Sequence, residues 1–96
     1  MSAVAEPTTV WRRNDTALTR LTSRSVLLTT AQSDEMHRLE GTAMFVWLEL
    51  ETPATDEQLV GGVAAGIGVE GDDVRGFVLA ARRTLVEIGA IVESDD

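Results

Sequence analysis

The spacing of apolar residues changes once along the chain. Over residues 17–40 they come in short runs, "ALTRLT", "SVLLTT" and "EMHRLE", separated by the turn-prone "SRS" and by "AQSD". Runs of this length between turn-forming residues read as strands, so this half predicts a small antiparallel sheet of three strands. From residue 41 the period lengthens to that of a helix. "EGTAMFVWLEL" places Ala43, Val46, Trp47 and Leu50 at i, i+3, i+4 and i+7, one buried helical face, and Pro53 ends it. Thr55 and Gln58 then stand in the T-x-x-Q arrangement of a capping box, which starts a second helix at Asp56. Gly61, Gly62 and Gly66 weaken that helix by about 1 kcal/mol each relative to alanine. Two readings account for them: close packing against another helix, or a helix that is mobile.

The third helix, expected from Asp72 to Ile88, is the strongest element. Val74, Phe77, Val78, Ala81, Leu85 and Ile88 share one stripe, acidic residues stand at its start, and Gly89 stands where a left-handed cap is expected. Beside that stripe runs a flank of Arg75, Leu79, Arg82 and Val86, two arginines interleaved with two apolar side chains. Such a flank is either a solvated edge whose arginine stems cover the core or one wall of a groove. Residues 1–16 show neither period and read as a partly mobile tail; 17–92 form the domain and 93–96 a C-terminal tail. The predicted fold class is α+β, a small three-stranded antiparallel sheet followed by three helices, like a winged helix-turn-helix.

At 96 residues the chain supports one modest core and is too small to enclose a sizeable substrate as well. Apolar residues make up 44% and aromatics 4%, so the core must be aliphatic, with Trp11, Phe45, Trp47 and Phe77 as its few large pieces. Cysteine is absent, which removes disulfides and thiolate chemistry. No apolar run approaches the about 18 residues of a membrane span, and "MSAVAEPTTV" lacks the basic and apolar regions of a signal peptide; a cytoplasmic protein is expected. The net charge of −8 is uneven: residues 1–33 hold four arginines against two acids, and residues 34–96 hold four against fourteen. So acidic a chain is a poor partner for nucleic acid.

Signals for catalysis are weak. There is one histidine, His37, and no phosphate-binding loop, nucleophile elbow or zinc-protease motif, so nucleophile–base pairs and metal sites lack members. The acidic groups "SDE", "TDE", "GDD" and "SDD" fall at turns and helix starts, where capping and the helix dipole explain them. Neither a cofactor nor a metal is expected. "EMHRLE" has no proline or lysine to deter another chain from pairing with it.

In order and pattern, "SVLLTT", "MHRLEGTAMFVWLEL", "TDEQLVGGVA" and "DDVRGFVLAARRTLVEIGAIV" resemble the PqqD family, the small winged-helix domains called RiPP recognition elements. The likeness spans residues 17–92. It rests on Leu39, Thr42 and Ala43 ahead of and within the first helix, the pair Val46 and Trp47, the threonine-capped second helix, and the "DV..FV" and "GAIV" ending. The resemblance implies a non-enzymatic protein that binds the leader segment of a ribosomally made precursor peptide as an added strand. It would present that peptide to a separate modifying enzyme or leader peptidase. The resemblance places binding on Met36, His37, Arg38 and Leu39 of the third strand and on Arg75, Val78, Leu79 and Arg82 of the third helix. A DNA-binding winged-helix regulator is one alternative, disfavoured by charge; an adaptor subunit with a fixed protein partner is another.

Overall fold

Trp11 is a core residue, as its size suggests, although the stretch around it reads as a tail. The structure, a computed structural model, describes residues 8–30 and 33–94, without the side chains of residues 33 and 34. Residues 1–7 and 95–96 of the expected tails, and Ala31 and Gln32 of the "AQSD" connection, lie outside that description. Strand β1 (Val10–Arg13) precedes a hairpin of β2 (Leu18–Leu21) and β3 (Val26–Thr30), and β4 (Ser33–Leu39) leads into α1 (Thr42–Glu49). Then come β5 (Ala54–Thr55), α2 (Asp56–Ile67), α3 (Gly71–Glu87) and β6 (Ile91–Glu93). The expected antiparallel sheet is present with strand order β2-β3-β4, and the α+β class holds. A second small sheet has order β5-β1-β6.

Local chemistry explains the boundaries. Thr22 closes the β2–β3 turn, its hydroxyl oxygen accepting the Ser25 N–H at 2.9 Å. The capping box of α2 is complete: the Gln58 N–H donates to Thr55 Oγ1 at 3.2 Å, and the Thr55 N–H donates to Gln58 Oε1 at 2.9 Å. α3 ends as its sequence predicts. Gly89 sits at φ 80°, which a side chain would resist, and the Ala90 N–H reaches back to the Leu85 carbonyl at 2.9 Å. This cap turns the chain directly into β6.

The core is aliphatic around two indoles. Val46, Trp47 and Leu50 of α1, Leu59 and Val63 of α2, and Val78 and Leu85 of α3 close over Val26, Leu28 and Leu39 of the larger sheet. Each such side chain contributes roughly 1.5–3 kcal/mol when fully buried. Each indole carries an arginine. Arg13 donates from Nη2 to the Trp47 carbonyl at 2.7 Å and stacks on that ring at 4.5 Å, and burial lowers its pKa, with Glu51 opposing the shift.

Three expectations change. Residues 10–13 are a strand, because Trp11 pairs with Ala54 on one side and Glu93 on the other. "VWRR" is too short and too charged to announce itself, and its partners are far away in sequence. Phe77 is 69% exposed and Phe45 38%, so neither is the core piece expected of it. Phe77 lies about 100° round the helix from Val78, past the edge of the buried stripe. Of the α2 glycines, only Gly62 abuts another helix, at the Glu49 side chain of α1; Gly61 and Gly66 face open space.

Candidate functional site

β4 is bonded to β3 on one side and forms the border of its sheet on the other. Its register fixes which side chains face where. Val26 lies opposite Leu39, Leu27 opposite Arg38 and Leu28 opposite His37, so His37 and Leu39 share the core face while Met36 and Arg38 point outward. Nearer Ser33 the register slips between Leu28 and Thr30, a bulge that bends β4 before this regular stretch begins.

The four strand residues therefore differ in availability. Leu39 is 4% exposed and belongs to the core. His37 is half-buried, and its Nε2 is buried with no hydrogen-bond partner among the described residues. Met36 is exposed, as is Arg38, whose guanidinium lies 3.6 Å from Glu40.

On α3, Val78 is fully buried and Leu79 packs partly against the core. The two arginines are occupied within the protein. Arg82 grips Asp56 at the first turn of α2 with a two-pronged contact, Nε to Oδ1 at 3.0 Å and Nη2 to Oδ2 at 3.2 Å, while its plane covers the Trp11 ring at 4.7 Å. Arg75 pairs with Glu57 one residue further along α2, through Nη1 to Oε1 and through Nη2 to Oε2 at 3.1 Å, with Asp72 at 3.8 Å. The hydrogen bond from Arg75 holds the Glu57 carboxyl below its ordinary range and raises the pKa of Arg75 in return. This flank closes on α2 and β1. No hydrogen bond or ion pair among the described residues joins Arg75 or Arg82 to Met36, His37, Arg38 or Leu39.

The opposite flank of α3 is open and presents Phe77, a residue that the periodicity assigns to the core. Its signal in the sequence is one of surplus: Val74, Val78, Ala81 and Leu85 complete the buried stripe without it. At the far end of the same helix, the Thr30 hydroxyl donates to the Ile88 carbonyl at 3.4 Å, which ties the α3 terminus to the end of β3 beside the start of β4. Among the described residues no cluster of three or more His, Cys, Asp or Glu side chains is placed to hold a metal ion, and no helix is long and apolar enough to cross a membrane.

No protein-family model and no curated protein sequence matches this chain. Among solved structures, its fold matches that of TbiB1 in complex with the TbiA(beta) leader peptide, with a TM-score of 0.71 over 88% of this chain and 99% of that one. The two are 18% identical, so the likeness is one of fold.

Proposed function

We propose that this chain is a RiPP recognition element of the PqqD kind. It binds the leader of a ribosomally made precursor peptide without catalysis and presents it to a separate modifying enzyme or leader peptidase. The observation that carries this reading is the border strand β4, seven residues long, in a fold shared with a protein solved with a leader peptide. A peptide added there gains backbone hydrogen bonds that tolerate many sequences, and its alternate side chains meet whatever flanks the strand. β2 also borders the sheet, but it is only four residues long and wholly exposed. We infer a groove along β4 whose floor is half-buried His37, with no partner for its Nε2 among the described residues, beside Leu39 on the same face.

On the helix side we assign Phe77 to this groove. Arg75 and Arg82 take a supporting role, fixing the tilt of α3 through Glu57 and Asp56. The same pairings weigh against a DNA-binding reading, because two of the three arginines of α3, Arg75 and Arg82, are already matched by carboxylates on a chain of net charge −8.

The test titrates fluorescent leader segments of candidate precursor peptides. Successive N–H groups along a strand alternate between partner and open edge. One of His37→Pro and Arg38→Pro therefore disrupts pairing with β3, and the other keeps the circular dichroism of the parent while weakening leader binding about tenfold or more. Methylating the leader backbone at alternate nitrogens gives the same contrast without altering the protein. Undiminished affinity in the folded proline variant and for every methylated leader would remove the strand-addition model.

A further inference from the structure

The face of the larger sheet turned away from the helices is apolar at its centre and basic around it. Arg20, Leu27 and Arg38 lie side by side across β2, β3 and β4, and Leu18 lies opposite Thr29 in the neighbouring row. Leu18 is 73% exposed and Met36 65%, a cost in water that folding alone does not explain. Together with Leu27 and Thr29 they line a shallow depression of about 320 Å³. Residues 17–30 hold Arg20 and Arg24 and no acid, on a chain of net charge −8. Arg38 has Glu40 beside it, but neither Arg20 nor Arg24 has an ion pair among the described residues.

We propose that this outward face docks the folded enzyme that acts on the bound precursor, through a surface whose apolar centre is ringed by carboxylates. The inference rests on the leader-binding reading and adds a second interface to it. Charge selects the partner's chemistry: an apolar patch flanked by unpaired arginines on an otherwise acidic protein accepts an acidic rim and repels a basic one. Position supports an enzyme. A strand added to β4 lies about 4.8 Å further along the same sheet, so its outward side chains extend this face and a protein seated on it meets the leader directly. Enzyme and leader then strengthen each other's binding by the same factor, as linkage requires.

The experiment places a photo-crosslinking amino acid at Leu18 or Leu27 of the full chain, with exposed Ala65 on α2 as control, in cells making the precursor and its processing proteins. Cross-links from both sheet positions to one enzyme, at a segment where Asp or Glu surrounds apolar residues, are expected. Arg20→Glu should reduce them about tenfold, since it sets like charges against an acidic rim. The doubly substituted Leu18→Glu, Arg20→Glu protein should still bind the fluorescent leader within about twofold of the parent, because surface changes away from a contact have small effects. Cross-links only to a second copy of this chain or only to the precursor, yields no higher than at Ala65, or indifference to Arg20→Glu would each overturn the docking proposal. A protein that fails to bind leader but cross-links to the enzyme at these positions would overturn the leader reading instead.

Discussion

The two flanks of α3 are built on opposite principles. Towards α2, Arg75 and Arg82 each find a carboxylate, and Arg82 also covers an indole. On the other side stands Phe77, 69% exposed. A charged flank read from sequence looks available and an aromatic in a helical stripe looks buried; here the arginines are paired and the aromatic is exposed. The arginines are satisfied because α2 begins with Asp56 and Glu57, whose carboxylates the helix N-terminus already favours. The phenylalanine is exposed because the buried stripe is complete without it.

Arg82 holds the clamped flank. Its side chain is 19% exposed and that of Asp56 is 35%, so solvent screens their contact only in part. Arg82→Ala removes two charge-assisted hydrogen bonds and a stacked cation, and should cost about 2–3 kcal/mol in urea unfolding. Arg82→Lys should recover less than half of that, because an ammonium cannot span both carboxylate oxygens while stacking on the ring. A loss below about 0.5 kcal/mol for Arg82→Ala would reduce the clamp to a surface pair of the ordinary kind.

Phe77→Ala should do the opposite, leaving stability within about 0.5 kcal/mol of the parent, as exposed substitutions do. Leader affinity should fall about tenfold, the equivalent of about 1.4 kcal/mol for one apolar anchor no longer covered by peptide. Urea unfolding and leader titration on the same two variants give a crossed result if the flanks differ as described. If Phe77→Ala binds leader as the parent does, the groove lies elsewhere along β4.

Much of this architecture is legible in the sequence, and what is not has a physical reason. The helical faces of α1 and α3, the Thr55–Gln58 box and the Gly89 cap are local patterns, each set by residues within a few positions of one another. β1 is not local. Its pairing with Ala54 on one side and Glu93 on the other depends on the fold already being in place, and "VWRR" has no alternation long enough to show it. The strand part of the candidate site is visible as an unprotected run, but its inward residues depend on the pairing of Leu28 with His37, which the run itself cannot specify. The helix part depends on the fold in the same way: whether Arg75 and Arg82 are free is set by where Asp56 and Glu57 lie in space.

The smallest effect concerns the clamped side. If α2 is held by its capping box and by the grip of Arg82 on Asp56, its glycines are not needed for mobility, and those facing solvent only cost helix propensity. A methyl group at Gly61 would meet nothing within 4 Å, and the residue has no positive φ, so Gly61→Ala should stabilise the protein by about 0.5–1 kcal/mol. Gly62→Ala should gain less, because its methyl group meets the Glu49 carboxylate of α1 and that side chain must move aside. Thermal unfolding of the two single variants measures the difference, and leader affinity should stay constant for Gly61→Ala, which stiffens α2 far from β4. Lost leader affinity in a more stable Gly61→Ala protein would show that α2 must flex for binding, and would move the working part of the molecule from its open flank to its clamped side.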